Sequence, residues 1–279
     1  MAIDSRKIYK IYKSLDKDQI QFILDKKIKG TYTIGGWLDR LQQIAELDTL
    51  GDDTRQKSGS LSVVFGLFMV FTIILTISKP FMFFFPIGFF LIFFYFLFMY
   101  ITLSKIDIGN NLRIFVVPLL KKYLLDGNIK DNLQLKMDFS SPISPERLTA
   151  TVESNQKDRN KLYKHHWMEG SIQYNDGVKI TWEIEDIVKK IERELPNKAA
   201  NLDLSSIYKV DHILNMHFYA PKNKFDSVNK ELMESKDGEF YILSIHKKDI
   251  SNSLEEGMDP QTFISSVEEG YKKLRLKSR

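Results

Sequence analysis

The chain contains no cysteine among its 279 residues. A disulfide framework and a thiolate metal site are therefore excluded, and the absence fits a reducing compartment. The sequence also lacks a strongly basic segment, because residues 1–60 carry 11 basic and 9 acidic side chains and the whole chain has a net charge of only +4. Nucleic-acid-binding domains have a clear basic excess, so no nucleic-acid partner is expected.

Charge is almost absent from one long stretch. Within residues 58–104 the only charged side chain is Lys79, and 13 of the 20 phenylalanines lie within residues 65–98. A helix on the surface of a soluble protein keeps one polar face, whereas here apolar side chains occur on every side. The sequence therefore predicts a transmembrane hairpin of two helices, at residues 61–78 and 80–103.

A short polar sequence, Ser78-Lys79-Pro80, separates the two halves of this hairpin. Proline is well suited to the first turn of a helix, and a lysine side chain can extend to the membrane surface. The predicted connection is thus almost no loop at all, with no domain on the far side. A re-entrant hairpin that returns to the same face of the membrane is the alternative.

The charges flanking the hairpin predict its orientation. One lysine lies in the connecting turn, and six basic residues flank the two helices: Arg55, Lys57, Lys105, Arg113, Lys121 and Lys122. The positive-inside rule then places both termini in the cytoplasm, as a multi-pass protein of the bacterial cytoplasmic (inner) membrane. Neither helix contains Asp, Glu, Arg or His, the residues that mark ion pathways, so an anchor is favoured over a transporter.

The segment at residues 1–58 is predicted to be helical and cytosolic. In the second of three short helices, Asp16 is the expected N-cap with Gln19 as its capping-box partner, and Gly30 is the expected stop. The third helix is expected to begin after Gly36. The mixed charges favour a small helical bundle over helices lying on the membrane surface.

The segment at residues 105–279 is predicted to be a cytosolic β-rich domain. Apolar and polar residues alternate in several runs, which indicates antiparallel strands with one buried face. One such run holds Leu148 and Val152 on a single side, and residues 240–245 are predicted to be a fully buried strand. Peripheral helices are expected at residues 112–125 and after Asp259. The fold class is therefore predicted to be α+β.

One hairpin of this domain can be assigned a register. A three-residue loop ending at Gly177 pairs Tyr174 with Val178 and Gly170 with Trp182, which places every apolar partner on one face. Beyond this point the pattern is ambiguous. Either the strand bulges near Asp186 and continues into a second long hairpin, which is favoured, or a short helix occupies residues 186–195.

The stretch WMEGSIQYNDGVKITWEIEDIVKK resembles a segment of uncharacterised bacterial membrane-anchored proteins. The shared pattern is a Trp-x-x-Gly, an Asp-Gly turn and a Trp-x-x-x-Asp, carried here by Trp167, Gly170, Asp176, Gly177, Trp182 and Asp186. In those proteins the following hairpin is strongly basic, whereas here it also contains acids such as Glu192 and Glu194. The similarity covers about fifty residues and implies a β-rich cytosolic module with no known activity.

No residue is predicted to be catalytic, cofactor-binding or metal-binding. The histidine pairs that invite attention are His165 with His166 and His212 with His217. Residues one or five apart on a strand point to opposite faces, so neither pair can chelate a metal alone. Walker, nucleophile-elbow and HExxH motifs are all absent from the sequence.

The resulting hypothesis is a non-enzymatic, membrane-anchored binding, adaptor or sensor module. Its expected partners are the lipid bilayer and either another protein or further copies of itself, with no cofactor. One alternative is an oligomeric effector whose hairpin perturbs the bilayer when the β-rich domain senses a ligand. Another is an enzyme whose site forms only in the folded state.

Overall fold

A computed structural model describes residues 5–78, 84–126, 129–155, 158–193, 205–226, 233–235 and 238–276. The chain divides into two compact units. The first comprises residues 1–25 and 42–108, and is called the helical unit; the second comprises residues 26–41 and 109–279, and is called the sheet unit. The expected fold class, α+β with a mainly antiparallel sheet, is confirmed.

The helical unit holds the bulk of four helices: α1 (Ser5–Ser14), α2 (Lys17–Asp25), α3 (Ile34–Ser78) and α4 (Phe84–Lys105). The predicted capping box at the start of α2 is confirmed. Gln19 N donates to Asp16 Oδ1 at 2.7 Å, and Asp16 N donates to Gln19 Oε1 at 2.9 Å. These two bonds satisfy amides that the helix itself leaves without partners.

α3 is one continuous helix of 45 residues. The expectation of two separate helices here, a third N-terminal helix and a hairpin helix from residue 61, is therefore wrong. The polar residues 51–60 contain no proline, and Gly51 and Gly59 only lower helix propensity without breaking the helix. Residues 34–41 of α3 belong to the sheet unit.

α3 and α4 pack through aromatic rings. The ring of Phe65 stacks on that of Phe96 with centroids 5.7 Å apart, and the ring of Phe68 stacks on that of Phe89 at 5.6 Å. A Cβ added to Gly66 would lie 3.3 Å from the Phe93 ring, so this glycine accommodates a side chain of the neighbouring helix. Gly66 therefore serves packing between α3 and α4.

Two helices, α3 and α4, are long and apolar enough to cross a membrane. In the most apolar 18 residues of each helix, 6% and 0% of residues respectively are buried. α4 spans 22 residues, or about 33 Å at the helical rise of ~1.5 Å per residue, close to the thickness of the hydrocarbon core. The predicted turn residues Lys79 and Pro80 lie outside the described residues.

The sheet unit is built on an eight-stranded sheet in the order β1-β2-β4-β5-β6-β9-β8, with β3 pairing β4 beside β2. All pairings between these strands are antiparallel. The strands are β1 (Lys27–Tyr32), β2 (Ile129–Asp138), β3 (Leu148–Asn155), β4 (Asp158–Tyr174), β5 (Lys179–Arg193), β6 (Ser205–Pro221), β7 (Phe225–Asp226), β8 (Met233–Glu234), β9 (Phe240–Ser251) and β10 (Arg275–Leu276). β7 and β10 form a separate pair.

β1 corrects the prediction that helix α2 continues to Gly30. The helix ends at Asp25, Lys26 adopts a positive φ of 56°, and the chain then pairs with β2 from Lys27↔Asp138 to Tyr32↔Leu133. Residues 27–32 alternate exposed and half-buried side chains. The domain boundary near residue 58 therefore does not describe this part of the chain, because residues 26–41 lie with the sheet.

The predicted register of the β4–β5 hairpin is confirmed. Tyr174 N donates to Val178 O at 2.9 Å, Gly170 pairs with Trp182, and Gly177 has a φ of 93°, which favours glycine. β5 then continues to Arg193 and pairs with β6 throughout, so the favoured second hairpin is confirmed up to residue 193. The turn of this second hairpin lies outside the described residues.

The bulge lies one strand away from its predicted position. His166 pairs with Glu185 and Met168 with Ile184, so Trp167 is the extra residue, and it lies in β4 rather than near Asp186 in β5. Trp167 and Met168 are consequently both buried. A bulge of this kind inserts one residue without ending the strand pairing.

Helices cover one face of the sheet. A π-helical turn (Leu112–Val116) leads into α5 (Val117–Asp126), and α6 (Pro260–Lys273) begins after its predicted N-cap, Asp259. Phe263 of α6 packs edge-on against Trp182, with ring centroids 5.1 Å apart, and Phe115 packs against Trp167 at 5.4 Å. The start of α3 joins this core through Trp37, whose Nε1 donates to Leu133 O at 2.8 Å.

Two expectations about burial are wrong. β9 is not fully buried, since Leu243 and Ile245 face the core while Ser244 is exposed. In β3, Leu148 and Val152 do not share a buried face and are 41% and 57% exposed. β3 pairs only with the first part of β4, and its register shifts between Leu148 and Ala150.

Candidate functional site

A buried polar cluster forms where the Trp167 bulge meets β5. Trp167 Nε1 donates to Asp186 Oδ1 at 3.2 Å, so the first and last positions of the Trp-x-x-Gly…Trp-x-x-x-Asp pattern are joined by a hydrogen bond. Between them, a Cβ on Gly170 would meet the Trp182 ring at 2.2 Å, so only glycine fits below this indole. These positions therefore stabilise the local fold of the hairpin.

The same carboxylate binds a histidine from the next strand. His212 Nδ1 lies 2.7 Å from Asp186 Oδ1, and His212 Nε2 lies 3.2 Å from Ser251 Oγ. The strand register explains the first contact, because Asp186 and His212 are direct partners in the β5–β6 ladder. Ser251 ends β9, the strand on the other side of β6.

Asp186, His212 and Ser251 have the connectivity of a hydrolase triad. Their exposed fractions are only 5%, 2% and 7%, so a substrate has no surface on which to approach the serine. The Ser251 hydroxyl also lies 3.0 Å from Ser253 O, which accepts its hydrogen bond. The arrangement links three strands through buried hydrogen bonds, and its geometry supports a structural role.

A second buried histidine lies beside this cluster. His165 is 5% exposed, and its Nε2 lies 3.9 Å from Asp138 Oδ1, beyond hydrogen-bonding distance. Burial, followed by the positive charge of Arg147, lowers the pKa of His165 to about 4, so the ring is neutral at pH 7. Asp138 is held ionised by bonds from Ser140, Lys27 and Arg147, and its pKa falls to about 2 although burial opposes this shift.

The opposite face of the sheet carries no α-helix of the sheet unit among the described residues, and polar side chains line much of it. Two adjoining grooves of about 680 and 350 Å³ cross this open face over β1, β2, β4 and β5. Both grooves are lined by Lys29, Lys136, Glu169 and Glu183. The Lys136 ammonium lies 2.8 Å from a Glu169 carboxylate oxygen, so the floor presents paired charges.

Hydrogen-bonding groups continue along this face toward β9. Thr181 and Ser171 line the smaller groove with His217, whose Nδ1 lies 2.8 Å from Ser244 Oγ. Beyond them, His246 Nδ1 lies 2.7 Å from Asn215 Oδ1. Such a surface offers hydrogen-bond donors and acceptors to a polar ligand, and its described residues include no acid–base pair isolated in an apolar setting.

A further pocket of about 570 Å³ lies between α5, α6 and the turn of the β4–β5 hairpin. Tyr123, Tyr174 and Tyr271 line it together with Asp176 and Glu268. Burial, with the nearby Asp176, raises the pKa of the Tyr271 phenol, so this group stays protonated. The rings of Tyr174 and Tyr271 pack on each other with centroids 5.5 Å apart and fill part of the core.

Three carboxylates meet in the helical unit. Ligand oxygens of Asp48, Asp52 and Asp107 lie within 4.8 Å of one another. Arg55 supplies a cation to this cluster, because its guanidinium contacts both Asp52 and Asp107. Asp48 Oδ1 also accepts a hydrogen bond from Ile108 N at 2.8 Å, which ties α3 to the end of α4.

The histidines lie on the faces that strand alternation predicts. His165 and His212 are buried while His166 and His217 face outward, so neither sequence pair converges on one point. Sequence reasoning missed the convergence of Asp186, His212 and Ser251. The alternation placed His212 on a buried face, but only the register of three strands brings it to Asp186.

Comparison with family models, curated proteins and solved structures found no match in any of the three.

Proposed function

We propose that this chain is a non-enzymatic binding module anchored in a membrane. The hairpin helices α3 and α4 would span the bilayer with both termini in the cytoplasm, and the open face of the sheet would bind a polar ligand or a protein segment. The observation that carries this proposal is the presence, in one chain, of two lipid-compatible helices and a folded sheet with one face that no described α-helix of the sheet unit covers.

The polar grooves favour binding over catalysis. Lys136 and Glu169 in the grooves pair with each other, and the buried Asp186–His212–Ser251 network is closed to substrate. Hydrogen-bonding groups placed on a rigid antiparallel sheet are well suited to recognise a polar partner. The six basic residues that flank the hairpin support a cytoplasmic position of both soluble parts.

Membrane anchoring is tested with charges placed in α4. Phe90 and Phe94 are 46% and 47% exposed, and a lysine near the centre of a spanning helix disfavours insertion by about 3 kcal/mol. The full chain should stay in the membrane pellet after an alkaline carbonate wash, and the double variant Phe90→Lys/Phe94→Lys should be released. Phe90→Leu/Phe94→Leu is the control and should stay bound.

Binding on the open face is tested with a matched pair of serine substitutions. Ser171→Trp fills the smaller groove, whereas Ser265→Trp places the same bulk on an exposed position of α6. Native mass measurement of the detergent-solubilised full chain should show a bound species with Ser265→Trp and none with Ser171→Trp. Equal retention by both variants would exclude the groove.

The alternative, an oligomeric effector that perturbs the bilayer, is tested separately. Cells that produce the intact chain should then leak, and cells that produce a variant with a scrambled hairpin sequence should not.

A further inference from the structure

The open face changes character at the end of the sheet that lies farthest from the grooves. Residues paired across neighbouring strands lie on the same face of a sheet. Val152 pairs with Asn160, Asn160 with Ile191, and Ile191 with Ile207, so these side chains form one row across the open face. The next row contains the facing pair Lys189 and Lys209. The distal patch is defined as these residues other than Asn160, together with Ile250, which lies on β9 two rows from Ile207: Val152, Lys189, Ile191, Ile207, Lys209 and Ile250.

The distal patch exposes large apolar side chains. Val152, Ile207 and Ile250 are 57%, 39% and 68% exposed, although β-branched residues of a sheet normally pack against neighbours. Exposed apolar groups gathered on one face mark a surface that another body covers. Around the two grooves the same face is lined largely by polar side chains such as Lys136, Glu169 and Ser171.

The two lysines give the patch its charge. Lys189 and Lys209 are exposed direct partners on neighbouring strands, and neither forms an ion pair with an acid among the described residues. Like charges in this position destabilise a sheet. The acids nearest to them on this face are already paired, Glu185 with Lys164 and Asp211 with Lys248, both at 2.8 Å.

These properties limit what can cover the patch. A second copy placed face to face would bring four unpaired lysines together, which disfavours a symmetric dimer. An anionic lipid surface satisfies both features, because its phosphates attract lysines and its interface accepts isoleucine and valine side chains. Two lipid-compatible helices in the same chain would also hold the sheet unit near a bilayer, which raises the effective concentration of lipid around the patch.

We propose that the distal patch docks onto an anionic membrane surface, so that the sheet unit has a reversible membrane contact of its own. This inference rests on the proposed membrane anchoring. The lysines supply the attraction to anionic headgroups, and Val152, Ile207 and Ile250 enter the interface. Docking thus depends on the content of acidic lipid and weakens with salt.

The test uses the absence of cysteine in the native chain. The full-length variant Ile207→Cys carries a single environment-sensitive fluorophore, and Ser244→Cys, exposed on the same face among polar groups, is the matched control. Each protein is reconstituted into vesicles of phosphatidylcholine alone and of phosphatidylcholine with phosphatidylglycerol. Only the label at position 207 in the acidic vesicles should shift to the blue and be quenched by spin-labelled lipid.

Lys189→Glu separates docking from folding. The change places a carboxylate opposite Lys209, so the sheet should become slightly more stable to heat. It also makes the charge of the patch more negative by two. Because each positive charge near an anionic surface raises the docking equilibrium constant about fivefold, the ratio of docked to free sheet unit should fall about thirtyfold. Lower thermal stability together with unchanged docking would contradict the proposal.

The remaining outcomes are distinguishable. If the vesicles float with the protein but the label at position 207 stays in water in both lipid mixtures, the patch proposal fails and the anchoring stands. A blue shift that is independent of acidic lipid and rises with the protein-to-lipid ratio means that a second copy covers the patch, which also overturns it. If the protein floats with neither vesicle, the anchoring fails and the inference fails with it.

Discussion

Asp186 is the side chain on which the buried cluster depends. A single carboxylate oxygen accepts a hydrogen bond from Trp167 Nε1 and also contacts His212 Nδ1, and both partner residues are almost fully buried. A buried donor that loses its acceptor pays the full cost of its desolvation, whereas a hydroxyl at the end of a network contributes less. Substitutions in this cluster should therefore lower the free energy of unfolding by different amounts, more at Asp186 than at Ser251.

We expect Asp186→Ala to lower the free energy of unfolding by about 3 kcal/mol, and Ser251→Ala by about 1 kcal/mol. Denaturant unfolding in detergent measures both values through tryptophan fluorescence. All three tryptophans, Trp37, Trp167 and Trp182, are buried in the sheet unit and report its unfolding. Hydrolysis of an activated ester that disappears with Ser251→Ala would contradict the structural role.

His165 predicts a pH dependence of stability. Its pKa is lowered to about 4 in the folded chain, mainly by burial, and the groups around it are Arg147, Asp138, Asp186 and His166. In the unfolded chain the pKa is close to 6.5, so between pH 6.5 and 4 the unfolded state binds more protons. Stability should therefore fall across this window as the pH decreases, by an amount on the order of 3 kcal/mol.

His165→Leu should remove most of this dependence while keeping the fold at pH 7, because the ring nitrogen Nε2 has no hydrogen-bond partner among the described residues. Thermal unfolding between pH 4 and 7 provides the comparison, with His246→Leu on the exposed face as the control. An equal slope in the wild type and in His165→Leu would show that other groups titrate in this range. The loss of stability that accompanies protonation of Asp138, whose pKa is about 2, is expected below pH 4.

At the scale of single elements, the β4–β5 hairpin depends on the absence of a side chain at Gly170. A Cβ there would lie 2.2 Å from Trp182 and 2.9 Å from Leu135, within a packed core. Gly170→Ala should lower the free energy of unfolding by about 1–3 kcal/mol through overpacking. Gly35→Ala, where nothing lies within 4 Å, should be neutral or slightly stabilising when measured in the same way.

The β4–β5 register could be predicted because two local signals agree. Alternation decides which residues face the core, and the position of Gly177 selects the loop length. β1 was missed although Ile28 and Tyr32 alternate with polar residues, because Ile20, Ile23 and Ile28 also fit a helical spacing. Local pattern alone cannot choose when the deciding partner, β2, lies about 100 residues later.

The buried cluster could not be predicted for a related reason. Asp186, His212 and Ser251 come from three strands, and their convergence depends on the β5–β6 and β6–β9 registers together. The exposure of Val152 has the same origin, since alternation within β3 alone groups it with apolar residues of a buried side. Its place beside Ile191 and Ile207 on the exposed face follows only from the pairing across four strands.

At the scale of the whole molecule, the proposed orientation is open to a direct test. Reporter fusions placed after Lys57 and Lys122 should give a cytoplasmic signal, and a fusion after Lys79 should report the far side of the membrane. A cytoplasmic signal at all three positions would instead indicate the re-entrant hairpin. Recovery of the full chain as a monodisperse species in a detergent-free supernatant would exclude membrane insertion altogether.

The extra residue at Trp167 has a consequence for how this chain can change in length. Side chains along a strand alternate between its two faces, and the extra residue Trp167 interrupts this alternation. Before Trp167, odd-numbered residues such as Tyr163 and His165 face the helices; after it, even-numbered residues such as Ile172 do. Deleting Trp167 itself would leave both halves of β4 on their present faces and paired with the same residues of β5, whereas a one-residue deletion elsewhere in β4 would turn the residues between the deletion and the bulge to the opposite face. A change of one residue in the length of β4 should therefore be tolerated at the bulge and not along the rest of the strand.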